Sequence, residues 1–171
     1  SSNMGLDYVK MARGRGQKNI YVETCTQYLV LDEEKYNLPG TEGLKYIMSP
    51  PLRSKFNQEK LWSGIRNGDI QVIATDHCPF SYEKEKIPMG KDDFFKCLNG
   101  SPGVETRIPI IFSEGVMKGR ISINKFVEVT STNPAKIFGM YPKKGSISIG
   151  SDADLVIIDK NKKVKVTKKL L

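Results

Sequence analysis

Apolar and polar positions follow two different periods along this chain, and the changes of period divide it into elements. From Asp7 to Ala12 the apolar residues around Leu6, Val9 and Met11 recur at helical spacing, and Gly14 and Gly16 supply the stop. Asn19 to Cys25 is β-branched and aromatic, which predicts a strand; a surface loop with a short helix follows around the turn formers Asn37, Pro39 and Gly40. In Ser49-Pro50-Pro51-Leu52-Arg53 two prolines fix φ and forbid a helix, so the backbone must run extended and rigid. Asn57 is the expected cap of a helix that carries Leu61, Trp62 and Ile65 on one face and stops at Gly68. Asp69 to Thr75 is a short apolar run, read as a second strand, that ends abruptly on the polar run Asp76-His77-Cys78-Pro79-Phe80.

A charged loop through Lys91 leads to the turn-rich stretch Leu98 to Glu105 and then to a helix-like apolar segment, Ile108 to Val116. Ser122 is placed to cap a helix running to about Ser131, and Asn133 to cap another with Pro134 in its first turn and Gly139 as its stop. Gly145 to Ile149 and Leu155 to Ile158 predict two strands around the turn Gly150-Ser151-Asp152-Ala153.

Alternation of strand and helix as far as Ile111 predicts parallel βα units, hence an α/β fold whose functional residues gather at the C-terminal ends of strands. The change of period near Pro142 marks a junction between a unit spanning 1–141 and a sheet-based segment spanning 142–171. The composition fits: 171 residues, 39% hydrophobic and 27% charged, suffice for one sizeable core. No apolar run approaches the roughly 20 residues a bilayer crossing needs, and Ser1-Ser2-Asn3-Met4-Gly5 has no basic and apolar leader, so the expectation is a cytoplasmic protein with no membrane partner. Cys25, Cys78 and Cys97 lack metal or redox spacing and read as reduced, mostly buried thiols. Much of the net charge of +8 lies in the lysine-rich tail from Lys160 to Lys169, where Val164 and Val166 alternate with lysines as in a half-exposed strand. Without aromatic interleaving or a nucleic-acid motif this is a solvated face, and no nucleic-acid partner is expected.

Candidate chemistry starts at Asp76, where a strand stops. A carboxylate held there can bind a cation or take a proton from a bound water; it can equally be a loop aspartate that caps the next turn. His77, the only histidine, reads either as a hydrogen-bonded structural imidazole or as a catalytic group. Ser49 and Asn99 sit beside prolines or glycines that keep main-chain N–H and C=O groups out of ladders, free to meet the complementary edge of a cyclic amide or simply to form turns.

Several motifs change these odds together: Glu23-Thr24-Cys25-x-Gln27-Tyr28-Leu29, Ser49-Pro50-Pro51-Leu52-Arg53, Asp76-His77-Cys78-Pro79-Phe80, Asn99-Gly100-x-Pro102-Gly103-x-Glu105, Asn133-Pro134-Ala135-Lys136 and Gly150-Ser151-Asp152-Ala153-Asp154-Leu155-Val156. In this order the chain resembles the dihydropyrimidinase/D-hydantoinase family of the amidohydrolase superfamily over nearly its whole length. The resemblance implies the C-terminal part of a (β/α)8 TIM-like barrel, about strands seven and eight with their helices, plus the start of a C-terminal β-sandwich segment. It implies a hydrolase opening dihydropyrimidine or hydantoin rings with two divalent metals, usually zinc, that activate a hydroxide. Asp76 would be both a metal ligand and the proton shuttle to the leaving ring nitrogen, and the main-chain groups of Ser49 and Asn99 would hold the ring of dihydrouracil or a hydantoin. A homotetrameric parent is implied as well.

The family's remaining ligands, a His-x-His pair, a bridging lysine and two further histidines, would precede Ser1. The chain is therefore expected to be a C-terminal fragment that carries one ligand and is inactive alone. Thr26 replaces a usual proline, which touches only the local loop. Gln27, where the sister allantoinases tend to have a histidine, together with the Asp76-His77-Cys78-Pro79-Phe80 run favours the hydantoinase branch over allantoinase or dihydroorotase. A non-catalytic dihydropyrimidinase-like interaction protein is the alternative of another class, and Asp76, which such relatives typically replace, speaks against it. A stand-alone basic binding module is a third.

Overall fold

Two short parallel strands organise the computed structural model, which describes residues 1–167. Strand β1 (Glu23–Cys25) pairs with β2 (Val72–Ala74) in the register Glu23 to Val72, Thr24 to Ile73 and Cys25 to Ala74. The α/β alternation and the parallel pairing are those expected, but both strands are shorter than their apolar runs. At their N-terminal ends main-chain pairing narrows to the Val22 carbonyl, which accepts from the Gln71 and Val72 amides at 2.9 and 3.2 Å, and side chains take the neighbouring groups. The Arg13 guanidinium donates to the Ile20 carbonyl at 2.6 and 3.1 Å, to the Asp69 carbonyl at 2.7 Å and to Gln71 Oε1 at 2.6 Å. Gln71 Oε1 also accepts from the Val22 amide at 2.9 Å. Backbone groups satisfied in this way have no reason to extend the sheet.

Helix α1 (Asn3–Gly14) begins earlier than its pattern suggests because Ser2 Oγ accepts from the Gly5 amide at 3.1 Å. Its end at Gly14, with Gly16 at φ 96°, follows the glycine stop. After β1 come α2 (Thr26–Val30), the 3-10 turns Glu33–Asn37 and Glu42–Tyr46, and α3 (Lys55–Asn67), which Gly68 terminates in the left-handed region at φ 83°. Asn57 does not cap α3. Ser54 occupies the cap position, and Asn57, inside the helix, accepts from the Asn3 amide at 2.8 Å and so ties α1 to α3. The spacing of Gln58, Leu61, Trp62 and Ile65 buries one face of α3, and Trp62 Nε1 donates to the Leu29 carbonyl at 3.1 Å. Gly64 permits the close crossing of α1: a Cβ there would meet Leu6 Cδ2 at 2.7 Å.

Beyond β2, α4 (Ile87–Gly90) precedes α5 (Val104–Ile111), which continues through the wider turns of Phe112–Met117. Ser122 caps α6 (Ile123–Val127) as expected, its Oγ accepting from the Lys125 amide at 3.1 Å. The chain then stays helical through Glu128–Thr132 into α7 (Asn133–Ile137), so Asn133 caps nothing; its Nδ2 donates instead to the Gln71 carbonyl at 3.0 Å. Ile65, Ile73, Ile111, Val129, Leu29 and Trp62 form the centre of the core, between the sheet and these helices.

The two strands expected at Gly145 to Ile149 and Leu155 to Ile158, the start of a sandwich, are absent among the described residues. A local polar knot competes with the hairpin: Ser146 and Ser151 each donate to the Pro142 carbonyl at 2.8 Å, the Asp152 amide donates to the Lys143 carbonyl at 2.9 Å, and Lys144 pairs with Asp152 and Asp154. With no ladder partner, Ile147, Ile149 and Leu155 to Ile157 are left exposed. Lys168 and Lys169 of the lysine-rich tail lie outside the described residues. No described helix is long and apolar enough to cross a membrane.

Candidate active site

Past the last residue of β2, Thr75 and Asp76 leave the sheet. Asp76 has φ 50°, the only positive value among the described non-glycine residues. Aspartate tolerates the left-handed region better than most residues, but a non-glycine residue there still costs about 1–3 kcal/mol, so the surrounding chain must impose it. The carboxylate is exposed and makes no hydrogen bond or ion pair among the described residues. Its charge acts on Cys25 and Tyr28, which places it near the C-terminal end of β1. Burial first, then the charges of Glu23 and Asp76, pushes the Cys25 thiol up to about 11; burial chiefly lifts Tyr28 to about 12. The buried hydroxyls of Thr24 and Thr26, on either side of Cys25, find no partner.

What imposes the Asp76 geometry is the segment after it. His77 Nδ1 accepts from the amides of Gly103 at 3.1 Å and Val104 at 3.4 Å, and the Cys78 amide donates to the Ser101 carbonyl at 3.1 Å. Gly103 is the cap residue of α5 and has no side chain to offer, so the imidazole takes its place. Of the two readings of His77, the hydrogen-bonded structural one describes this geometry. A Cβ at Gly100 would stand 2.4 Å from the Cys78 carbonyl oxygen, so only glycine lets the two segments close.

Ser49 and Asn99 are brought together, fifty residues apart in sequence: Ser49 Oγ donates to Asn99 Oδ1 at 3.2 Å, and Asn99 Nδ2 donates to the Cys97 carbonyl at 3.1 Å. Both line a cleft of about 560 Å³ whose apolar wall includes Leu44, Met48 and Phe94. Asp76 is not in that wall. The rigid proline segment is pinned from the far side, with Tyr28 Oη donating to the Pro50 carbonyl at 2.7 Å and the Leu52 amide donating to Tyr36 Oη at 2.7 Å.

Three positioning side chains were not foreseeable. Lys86 is buried, and its ammonium donates to the carbonyls of Leu44, Lys45, Ile47 and Gly100. Arg107 donates to the Ile73 carbonyl at 2.9 Å, docking α5 on β2, and burial lowers its pKa; Arg13 is the third. Lys86 lies in a loop that reads as solvated charge, and nothing in the local sequence around Arg13 or Arg107 names the carbonyls they bind. No cluster of three histidine, cysteine, aspartate or glutamate residues able to hold a metal ion occurs among the described residues. These residues therefore do not form a metal site by themselves: Asp76 is a single donor, and any divalent ion there would need its other ligands from elsewhere.

Comparison with known proteins gives this geometry its relatives. A model of the amidohydrolase family matches residues 5–170. A D-phenylhydantoinase of Escherichia coli O1:K1 is 52% identical over 159 residues, covering 93% of this chain and 34% of the relative. Crystallised dihydropyrimidinase from Brevibacillus agri NCHU1002 superposes with a TM-score of 0.86 at 51% identity, over 90% of this chain and 33% of that one. L-hydantoinase (dihydropyrimidinase) from Arthrobacter aurescens does so with a TM-score of 0.79 at 36% identity, over the same shares. The chain spans about a third of the length of the curated relatives it matches.

Proposed function

The chain belongs to the amidohydrolase family, and on that premise we propose that it forms one side of the active site of a cyclic-amide hydrolase that opens hydantoin or dihydropyrimidine rings. The single observation carrying this reading is Asp76: an exposed, unpartnered carboxylate held in a strained conformation where β2 stops. The names of the relatives supply the substrate class, and Gln27 favours the hydantoinase branch over allantoinase or dihydroorotase. In this reading β1 and β2 are the seventh and eighth strands of a (β/α)8 barrel, residues 142–171 begin the return to a β-sandwich, and the assembled protein is a homotetramer.

Ring opening adds water to a ring carbonyl and breaks its C–N bond, so a proton must leave the water and reach the departing nitrogen. Asp76 takes that proton from the water and gives it to the departing nitrogen. The ring presents an N–H and a C=O on one edge; in this proposal the main-chain groups of Ser49 and Asn99, residues whose side chains are joined by Ser49 Oγ donating to Asn99 Oδ1 at 3.2 Å, offer the complementary pair. The family is generally metal-dependent, and a pair of divalent ions, zinc in this proposal, supplies Lewis-acid polarisation when bound, with Asp76 as the one ligand from these residues.

The test is hydrolysis of dihydrouracil, hydantoin and allantoin by the full-length protein and its Asp76→Asn variant, with zinc content measured on both. The variant loses about 10²–10⁴ in kcat, and the 171-residue chain by itself turns over none of the three. A metal-free, inactive full-length protein would refute the reading and identify an interaction protein instead.

A further inference from the structure

The feature this reading leaves unused is the ammonium of Lys86. The side chain is 3% exposed and forms no ion pair among the described residues, although a buried cation is expected to have a carboxylate partner. Its partners are backbone carbonyls: Leu44 at 3.2 Å, Lys45 at 3.3 Å and Ile47 at 3.0 Å on the segment leading to Ser49, and Gly100 at 2.7 Å on the segment that follows Asn99. Three N–H donors serve four acceptors, so at least one proton of the ammonium is shared.

The two segments also meet directly, since the Gly100 amide donates to the same Ile47 carbonyl at 3.1 Å. One oxygen therefore receives both a main-chain bond from the second segment and a charged bond from Lys86. Ile47 lies two residues before Ser49 and Gly100 one residue after Asn99, so the separation of the proposed ring-binding groups depends on this junction. A cation bonded to both segments pulls carbonyl dipoles together that would otherwise repel.

The geometry points to Lys86 as a positioning residue for substrate: its ammonium sets the spacing of the Ser49 and Asn99 loops that grip the edge of the cyclic amide, without touching the ring or the reacting atoms. This rests on the hydrolase reading above and deepens it, because it makes ring affinity depend on a cation outside the site.

Kinetics of the full-length protein on hydantoin test it, with Lys86→Met as the near-isosteric neutral variant. KM rises by about tenfold while kcat stays within about twofold and zinc content is unchanged, the pattern of binding lost equally from ground and transition state. Lys86→Ala behaves alike, and n-propylammonium, which replaces the deleted atoms, lowers its KM again whereas 1-propanol does not. Should Lys86→Met fail to fold, Lys86→Gln, which keeps N–H donors on a side chain one atom shorter, is read in the same way. An unchanged KM, a fall in kcat alone, or no rescue by n-propylammonium in a folded Lys86→Ala protein overturns the clamp while leaving the hydrolase reading intact. Absence of hydrolysis by the unmutated protein sinks that reading, and the clamp with it.

Discussion

Replacing His77 tests whether the imidazole, rather than a conventional cap, holds the start of α5 and with it the loop that carries Asp76. Helix starts leave amides without partners, and Gly103 offers none a side chain. His77 Nδ1 accepts the Gly103 amide at 3.1 Å, a full hydrogen bond, and the Val104 amide at 3.4 Å, a weak one. Removing an ordinary cap costs about 0.5–2 kcal/mol, and one net hydrogen bond about 1 kcal/mol. The side chain is exposed, so little packing is lost with it. His77→Ala is therefore expected to cost about 1 kcal/mol; with a urea slope of roughly 2 kcal/mol/M for a small protein, the midpoint moves down by about 0.5 M. His77→Asn should recover most of this, because Asn Oδ1 stands two bonds beyond Cβ, as Nδ1 does. His77→Gln should not, because its oxygen stands one bond further out. Urea unfolding at pH 8 and amide exchange at Gly103 and Val104 measure both effects. Equal stability of the Ala and Asn variants, with unchanged exchange at those two amides, would refute the reasoning.

Three further outcomes follow from the core and the cysteines. Trp62→Phe removes the bond to the Leu29 carbonyl and leaves a void beside Gly115, where the indole packs so closely that a Cβ would stand 3.0 Å from Trp62 Cζ3. A loss of about 2–4 kcal/mol is expected in the same unfolding assay, and a loss below about 1 kcal/mol contradicts the packing argument. Cys78, the exposed thiol, should react with a thiol reagent in the native protein well before buried Cys25 and Cys97. Because the folded Cys25 thiol is pushed from 9.0 to about 11, the folded state holds a proton that the unfolded state gives up, so this contribution is whole below pH 9 and is lost as pH rises towards about 11. Unfolding at pH 8 and pH 10, with Cys25→Ala as the control lacking that slope, checks the sign.

Both strands of the sheet were legible because β-branched and apolar runs break off at polar residues, and the position of Asp76 followed from the same break. The helix stops at Gly68 and Gly139 were equally plain, since positive φ favours glycine. Asn57 and Asn133 have the chemistry of caps, yet each sits inside a helix that began earlier and spends its amide on another element. The alternation from Gly145 to Ile158 is a property of the segment, whereas a strand also needs a neighbour to pair with, and no pattern within the segment says where that neighbour is. Lys86 was invisible for a related reason. In Lys84-Glu85-Lys86 it is indistinguishable from solvated charge, and its burial is decided by loops that lie some forty residues earlier and fourteen residues later.

The same logic explains how so small a sheet can hold a site. Two three-residue strands supply little ladder, so the chain's order near the candidate site comes from side-chain donors bonded to main-chain carbonyls: Arg13 at the N-terminal ends of both strands, Arg107 on Ile73, Tyr28 on Pro50 and Lys86 across the two loops. A carbonyl has no rotamer, so a donor that bonds one fixes the backbone itself, whereas a surface pair such as Lys118 with Glu114 fixes only two mobile side chains and contributes about 0–1 kcal/mol. Substitutions at these donors should therefore displace Ser49, Asn99 or Asp76 as units, and substitutions in the surface pairs should leave all three in place.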